Sequence, residues 1–139
     1  MPRFPSPEWA EKYCEELNKS ETYKRAGRGW EWPILFKVKD LPEDLKQLYP
    51  SGSPGFVLDL YNGECRGVKW YDDASEADAP YILAATFNDW LDVIKGKVNP
   101  IAAIVRRKLV LEKGSVSVIM RFPVAALEMV RAAQRVGIE

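Results

Sequence analysis

The sequence of 139 residues predicts a fold that combines helices with strands. Two runs rich in apolar residues flank Asn62-Gly63, and a two-residue Asn-Gly loop in this setting is the strongest local signal for a β-hairpin. Residues 81–86 form a continuous apolar run, which is typical of a central strand buried on both faces. Residues 123–136 are rich in Ala, Leu, Met, Glu and Arg, which favours a helix. A chain of this length is expected to form one domain over residues 1–139.

The first 27 residues are predicted to form two helices. Ser6 precedes Pro7, a pair that suits the N-cap and the first position of a helix. Ser20 offers a similar cap to a second, shorter helix that Gly27 ends. Apolar residues recur every four positions in the first helix, so we expect this region to pack on a sheet.

The middle of the chain, residues 30–86, is predicted to contain the main strands. Apolar residues alternate over residues 32–38, as in a half-buried strand. Pro33 cannot donate a ladder hydrogen bond, so it either places this strand at an edge or marks where the strand begins. The hairpin strands cover residues 56–61 and 64–71. Their inward face is predicted to carry Phe56, Leu58, Leu60, Val68 and Trp70.

The last part, residues 87–136, is predicted to hold further helices, the last strand and a C-terminal segment. Thr86 and Asp89 match a capping box at the start of one helix. Asn99, followed by a proline, caps another. Residues 115–121 alternate as a strand does, but they also fit a helix that a proline interrupts, and we favour the helix because its register continues.

The sequence contains no histidine, and this excludes several classes of enzyme. Without an imidazole there is no Ser-His-Asp or Cys-His triad, no HExxH zinc site and no His/Cys/Cys deaminase site. Cys14 and Cys65 cannot form a structural zinc site alone. They could form one disulfide, but nothing in the sequence indicates secretion, so we expect both thiols to be reduced.

Composition and termini favour a cytoplasmic protein. Hydrophobic residues make up 47% of the chain and charged residues 29%, as in soluble globular proteins. No apolar run approaches the roughly 18 residues that a membrane span needs. The N-terminal residues contain no hydrophobic signal region, and the last three residues do not match a peroxisomal signal.

The charges are unevenly distributed along the chain. Residues 1–94 carry 11 basic and 17 acidic side chains, whereas residues 95–139 carry 9 basic and 3 acidic ones. This asymmetry marks a surface for anionic partners, or else the two parts pair their charges in the fold. Nucleic acid is not the expected partner, because exposed aromatic residues are not interleaved with the basic ones and the chain is neutral overall.

An acidic cluster is the best candidate for an enzyme site. Asp72, Asp73, Glu76 and Asp78 supply the oxygen ligands that Mg²⁺ and Ca²⁺ prefer. Their spacing matches no EF-hand loop, and acidic residues between strands are usually only solvated. Cys65 has basic neighbours but no base to activate it. We therefore expect no enzyme activity, no metal and no cofactor.

The C-terminal helices are rich in large apolar residues. Covering one face of a single small sheet would require fewer of them. These residues could fill a solid core. They could equally line an apolar tunnel between the helices and one face of the sheet, because ligand sites are concave and mostly apolar. Composition alone leaves both alternatives open.

From residue 78 onward, the chain resembles the sterol carrier protein type 2 family. The resemblance is carried by ADAPY at 77–81, FNDWLDVIKG at 87–96, NPIAAI at 99–104 and KLVLEKG at 108–114. The hairpin and the first strand also agree in order with the family's sheet. One departure is Arg107, where the family usually has a glycine, so the loop into the last strand is expected to differ.

The resemblance implies an α+β domain with a five-stranded, mostly antiparallel twisted sheet. Helices would cover one face, with a hydrophobic tunnel between the two layers and a C-terminal lid. The implied function is non-enzymatic binding and transfer of a fatty acid, acyl-CoA, phospholipid or isoprenoid or sterol-like lipid. Alternatives are an accessory or oligomerisation module with the same fold and, more weakly, a carboxylate-metal enzyme at the acidic cluster. The chain could be a monomer or a homodimer.

Candidate tunnel residues are the large apolar side chains of the C-terminal helices. They are Phe87, Trp90, Leu91, Ile94, Ile101, Ile104, Val105, Val116, Ile119, Met120, Leu127 and Val130. Arg106, Arg107, Lys108 and Arg121 are expected near the tunnel opening, where they would meet an acyl-CoA phosphate or an anionic membrane. Binding of such a partner should then weaken as salt rises.

Overall fold

Seven α-helices, five strands and one 3₁₀ turn appear in the computed structural model, which describes residues 2–138. In chain order they are α1 (Pro7–Lys19), α2 (Glu21–Ala26), β1 (Ile34–Lys39), α3 (Glu43–Leu48), β2 (Gly55–Tyr61), β3 (Glu64–Tyr71), the 3₁₀ turn (Ala74–Glu76), β4 (Tyr81–Thr86), α4 (Phe87–Ile94), α5 (Pro100–Val105), β5 (Val110–Lys113), α6 (Val116–Ile119) and α7 (Pro123–Val136). Within the described residues, no helix is both long and apolar enough to cross a membrane.

The strands form one mixed sheet in the order β3-β2-β1-β4-β5. Strands β1 and β4 run parallel, with Phe36 opposite Leu83, and the other three neighbouring pairs are antiparallel. The predicted five-stranded, mostly antiparallel sheet is therefore confirmed, with one parallel pair inside it. Strand β1 lies at the centre and begins at Ile34, directly after Pro33. The edge alternative is wrong, and the proline instead marks the start of the strand, where its missing N–H breaks no ladder bond.

One face of this sheet carries the main hydrophobic core. Successive side chains of a strand point to opposite faces, so Phe36 of β1 and Phe56 of β2 share the face that the helices cover, with their rings 5.2 Å apart. The opposite face holds a smaller cluster in which Leu35 packs with Ala74 and Ala79 of the segment around the 3₁₀ turn. The predicted inward face of the hairpin is confirmed by the burial of Phe56, Leu58 and Leu60 and by the packing of half-buried Val68 and Trp70 against the core.

The hairpin turn shows why its two residues are Asn and Gly. Asn62 has φ 54° and Gly63 has φ 83°, the positive values that a type I′ turn requires. A Cβ on Gly63 would also collide with the backbone carbonyl of Lys24 in α2. The Asn62 Oδ1 atom accepts a hydrogen bond from the N–H of Gly29 at 2.9 Å. The turn is therefore both a hairpin loop and a docking point for the end of α2.

The predicted helix starts are confirmed by N-cap hydrogen bonds. The Ser6 hydroxyl accepts from the N–H of Trp9 at 3.1 Å, and the Ser20 hydroxyl accepts from the N–H of Tyr23 at 3.0 Å. The residues before α4 and α5 cap those helices in the same manner. Residues 115–121 contain α6, so the helical interpretation of this segment is confirmed as well.

Cys14 and Cys65 form a disulfide, so the prediction of two reduced thiols is wrong. Helix α1 packs along β3 and brings their Cα atoms 5.5 Å apart, within the range for such a bond. Asn18 reinforces the contact: its Nδ2 donates to the Cys65 carbonyl and its Oδ1 accepts from the Cys65 N–H, each at 2.8 Å. A separation of 51 residues conceals this proximity in the sequence, because only the packing of helix on sheet creates it.

Candidate functional site

An apolar cavity of about 100 Å³ lies between the helices and the inner face of the sheet. Its lining comes from α1, α2, the three central strands and the helices of the C-terminal part. The lining residues are Tyr13, Tyr23, Trp30, Ile34, Phe36, Leu60, Leu83, Trp90, Val93, Pro100, Ile104, Leu109, Ile119, Phe122, Ala125, Ala126, Met129 and Val130. None of these side chains is charged, so the cavity suits a hydrophobic ligand.

Small residues on the helical side leave the space open. Ala125 and Ala126 face the cavity from the first turn of α7, and Pro100 faces it from the start of α5. The floor is made of larger side chains, including Ile34 of β1 and Leu83 of β4. Protein interiors are generally close-packed. The void lies where these three small side chains face the sheet, because they do not reach the larger side chains opposite them.

Four lining side chains carry a polar nitrogen or oxygen, and three of these atoms donate to backbone carbonyls. The indole N–H groups of Trp30 and Trp90 donate at 2.7 and 2.8 Å. The Tyr13 hydroxyl donates to the Met129 carbonyl at 3.1 Å. The Tyr23 hydroxyl forms no hydrogen bond with any described residue. Burial raises the pKa of both phenols, and the proximity of Tyr23 raises the pKa of Tyr13 further, so both stay neutral.

A second cavity of about 30 Å³ lies beside the first. The two share Tyr13, Phe36 and Trp90 in their linings, so these side chains form the wall between them. Ile94 and Ala133 belong to the lining of the smaller cavity only.

The candidate tunnel residues take three kinds of position. Trp90, Ile104, Ile119 and Val130 line the larger cavity, and Ile94 lines the smaller one. Phe87, Leu91, Ile101 and Leu127 are half-buried outside both linings. Val105, Val116 and Met120 are exposed, with 62%, 43% and 48% of their surface accessible. The last two lie outside because α6 is a single turn of helix and buries only Ile119.

Sequence reasoning missed the lining that comes from the N-terminal helices and the sheet. Tyr13 and Tyr23 of the helices and Ile34 and Leu83 of the sheet are examples, and Trp30 in the loop between α2 and β1 was missed as well. Part of the signal was available, because the alternation that predicts an inward face for a strand also identifies the floor of any cavity above it. The tyrosines of α1 and α2 carried no comparable signal, since an aromatic residue on an amphipathic helix is usually plain core.

Three of the four basic candidates are exposed arginines on the helical side of the cavity. Arg106 and Arg107 directly follow α5, and Arg121 follows α6, two helices that contribute Ile104 and Ile119 to the lining. Arg107 has φ 62°, in the left-handed region that favours glycine. An arginine in this conformation costs about 1–2 kcal/mol. The loop thus takes a glycine-like backbone path at the position where the resemblance led us to expect a glycine.

Lys108, the fourth candidate, is held by α4. Its Nζ lies 2.8 Å from Asp89 Oδ1 and 3.2 Å from Asp92 Oδ2. Hydrogen bonds to Asp89 and then Asp92 raise the pKa of Lys108. Its charge is therefore compensated within the fold, and the role of a free contact at a tunnel opening does not fit it. A similar pairing joins Lys113 to Asp78 at 2.9 Å.

The acidic cluster does not form a metal site. Asp72 accepts from the indole N–H of Trp70 at 2.7 Å, and Asp73 caps the 3₁₀ turn by accepting from the N–H and the hydroxyl of Ser75. Asp78 pairs with a lysine of β5. Over residues 2–138 no group of three or more acidic or cysteine side chains is arranged to hold a metal ion. The carboxylate-metal alternative therefore has no support from the geometry.

Comparison with known proteins agrees with this architecture. The model of the SCP-2 sterol transfer family matches residues 10–125. A crystal structure of sterol carrier protein 2 is 34% identical, with TM-score 0.82 over 93% of this chain and 95% of that one. The solution structure of a conserved hypothetical protein from Thermus thermophilus is also 34% identical, with TM-score 0.84 over 96% of this chain and 90% of that one.

A more distant structure shares the fold alone. The sterol carrier protein domain 2 of Helicoverpa armigera is 18% identical, with TM-score 0.56 over 91% of this chain and 93% of that one. A comparison with curated protein sequences gave no match.

A mixed sheet with helices over one face and an apolar cavity between the layers defines the α+β architecture, and the family and structural matches support the general class of lipid-binding and lipid-transfer proteins. The chain belongs to the SCP-2 sterol transfer family, whose model covers residues 10–125. The resemblance found in the sequence is confirmed.

Proposed function

We propose that this protein binds one lipid molecule in the cavity between its helices and its sheet and carries it between membranes without chemical change. The observation that supports this most directly is the lining, which contains no charged side chain and is apolar apart from four aromatic residues with a single polar atom each. The ligand would be a fatty acid, acyl-CoA, phospholipid or isoprenoid or sterol-like lipid. Family membership supports the general class of ligand.

Binding a lipid of this size requires the cavity to expand. Its volume of about 100 Å³ is well below the roughly 300–1,000 Å³ of common ligand pockets. Helix α6 is a single turn with one buried residue, Ile119, so it has little burial to lose on moving. We therefore assign the lid to α6 and the start of α7. Joining the larger cavity to the smaller one past Phe36 and Trp90 would lengthen the space further.

The surface around this lid suits a membrane as the source and the destination of the lipid. Val105, Met120 and Val124 are 62%, 48% and 56% exposed, on or beside the helices that cover the cavity. Arg106 and Arg121 stand next to them in the chain. Apolar side chains flanked by cations match an anionic bilayer surface or the phosphates of an acyl-CoA.

A cytoplasmic location remains a prediction. The disulfide between Cys14 and Cys65 removes one of its supports, because cytoplasmic thiols are generally kept reduced. The choice between a monomer and a homodimer also remains open, and a measurement of molecular mass in solution would decide it.

Uptake of a fluorescent fatty acid tests the proposed cavity. Ile119→Trp places a large ring in the lining, whereas Met120→Trp adds the same ring at the neighbouring exposed position. We expect Ile119→Trp to lower the affinity at least about tenfold and Met120→Trp to leave it unchanged. If Ile119→Trp fails to fold, Ala125→Leu fills the same cavity with a smaller group. Equal affinity for folded cavity variants and the parent would place the ligand elsewhere.

Native mass spectrometry after gentle purification tests the function independently. A co-purifying lipid supports a carrier. A protein that is empty and also takes up no fluorescent fatty acid would contradict the proposal and favour the accessory or oligomerisation module.

A further inference from the structure

Tyr23 is held firmly at the wall of the cavity. Its backbone N–H donates to the Ser20 hydroxyl at 3.0 Å, and its carbonyl accepts from the N–H of Gly27 at 2.8 Å, so both ends of α2 fix its position. Only 2% of its surface is exposed, and its side chain belongs to the cavity lining. The backbone of Tyr23 is therefore fixed beside the space that a ligand would occupy.

The hydroxyl of this tyrosine has no protein partner among residues 2–138. Among the other buried tyrosines, the Tyr13 hydroxyl donates to the Met129 carbonyl and the Tyr49 hydroxyl donates to the Pro5 carbonyl. The Tyr81 hydroxyl also forms no hydrogen bond with a described residue, but Tyr81 lies outside both cavity linings. Every fully enclosed polar side-chain atom of the described residues has a hydrogen-bond partner. The Tyr23 oxygen is therefore not fully enclosed, and the open space that Tyr23 lines is the cavity.

A phenol that faces an apolar cavity without a partner represents unused hydrogen-bonding capacity. A ligand that brings an oxygen to this point would gain a hydrogen bond that the empty protein lacks. Burial raises the pKa of Tyr23, so the phenol keeps its proton and can donate it. No cationic side chain lines the cavity, so burying an ionised carboxylate there without a counter-charge is strongly unfavourable, and a bound fatty acid would keep its carboxylate outside the lining.

We propose that the Tyr23 hydroxyl is the hydrogen-bonding anchor for a neutral oxygen group of the lipid, a hydroxyl or a carbonyl, in the binding cavity. This inference rests on the proposed lipid-binding function and adds a selectivity to it. Tyr13 lines the same cavity, but its proton is already donated to the Met129 carbonyl, which leaves Tyr23 as the hydroxyl donor of the lining. A neutral ligand oxygen would accept from Tyr23, whereas a carboxylate would find one donor and no cation.

Three probes of equal chain length test this anchor. They are 1-octanol, 1-fluorooctane and octanoate, titrated at neutral pH against the fluorescence of the protein, since Trp30 and Trp90 line the cavity. We expect 1-octanol to bind about 3- to 10-fold more tightly than 1-fluorooctane and also more tightly than octanoate. Tyr23→Phe should remove the advantage of 1-octanol while leaving the affinity for 1-fluorooctane unchanged.

Tyr49→Phe is the matched control, because it also deletes a buried phenol hydroxyl but lies outside both cavity linings. It should leave all three affinities unchanged. The anchor would be refuted if Tyr23→Phe bound 1-octanol as well as the parent does, if it lost both neutral probes equally, or if octanoate bound best. A parent protein that bound none of the probes would instead refute the proposed lipid-binding function itself.

Tyr23→Phe is expected to fold. It removes a hydroxyl that has no partner in the empty protein, so its thermal unfolding midpoint should not fall below that of the parent. A clear loss of stability in this variant would mean that the hydroxyl is already bonded within the protein, which would also overturn the anchor.

Discussion

At the scale of the residue, a buried carboxylate joins two helices. Glu128 of α7 is 6% exposed and accepts from the Ser20 hydroxyl at 2.7 Å and from Arg135 Nη2 at 3.0 Å. Ser20 is also the N-cap of α2, so this bond ties the start of α2 to α7. Burial alone would raise the pKa of Glu128, but the hydrogen bonds from Ser20 and Arg135 outweigh it and hold the pKa below its usual value.

Glu128→Gln should lower the free energy of unfolding by about 1–3 kcal/mol at neutral pH, because a buried charge-assisted network loses its anion. The folded pKa lies below the unfolded value of about 4.3. The stabilisation is therefore complete above that pH and is lost as pH falls through the folded pKa. Urea unfolding should show the parent and the variant converging on acidification. Glu11→Gln, at an exposed position of α1, should have no effect, and a gap that widened at acid pH would contradict this account.

At the scale of the element, α1 is attached to the sheet both by packing and by a covalent bond. Its buried face includes Trp9 and Leu17, which join the main core. Cys14 lies on the same face and bonds to Cys65 of β3. The helix thus covers the β2–β3 side of the sheet and presents Tyr13 to the cavity, so its attachment also maintains part of the binding site.

Reduction of the disulfide should destabilise the protein by about 4 kcal/mol in the chain-entropy model, since the bond closes a loop of 51 residues in sequence separation. Thermal unfolding with and without dithiothreitol measures this change. The variant Cys14→Ala/Cys65→Ala should have the same stability as the reduced parent. Dithiothreitol should not change its stability, because the chain has only 2 cysteines and the variant has none. Equal stability of the oxidised and reduced parent would show that packing alone holds α1 in place.

At the scale of the whole molecule, the charge asymmetry of the sequence is partly internal pairing and partly open surface. Lys108 and Lys113, which belong to the basic residues 95–139, form ion pairs with carboxylates of the acidic residues 1–94. Arg106, Arg107 and Arg121 are exposed and form no ion pair within residues 2–138. Internal pairing therefore accounts for part of the asymmetry, and the unpaired arginines lie beside the helices that cover the cavity, where we propose that they meet an anionic partner.

Replacing Arg106, Arg107 and Arg121 together by Gln should weaken binding to vesicles of phosphatidylcholine and phosphatidylserine. The expected loss is about 1 kcal/mol for each cation that reaches the anionic surface. Co-sedimentation with the vesicles measures it, and the parent should also release as salt rises toward about 1 M.

A control with the same change in net charge replaces Lys12, Lys46 and Lys69, which are exposed on other elements. This control should retain most of the affinity for the vesicles, because the charges that it removes are remote from Arg106, Arg107 and Arg121. Equal losses in the two triple variants would mean that net charge, rather than this surface, governs the interaction.

The sequence predicted local structure well where a short pattern has one physical solution. Asn62-Gly63 and the alternation of Phe56, Leu58 and Leu60 identified the hairpin and its buried face. It predicted the site less well: three of the candidate tunnel residues are exposed, and the tyrosines that line the cavity were missed. Helical periodicity shows which apolar residues share one face of a helix. It does not show whether another side chain fills the space beside them.

By itself, the sequence determined the order of helices and strands, the helix caps, the family and the general class of ligand. These depend on contacts within a few residues or on patterns that related chains share. The tertiary structure decided the disulfide, the pairing of Lys108 with α4 and the position of Tyr23 in the lining of the cavity. Each of these depends on distances between side chains far apart in the chain, which are set only when the helices pack against the sheet.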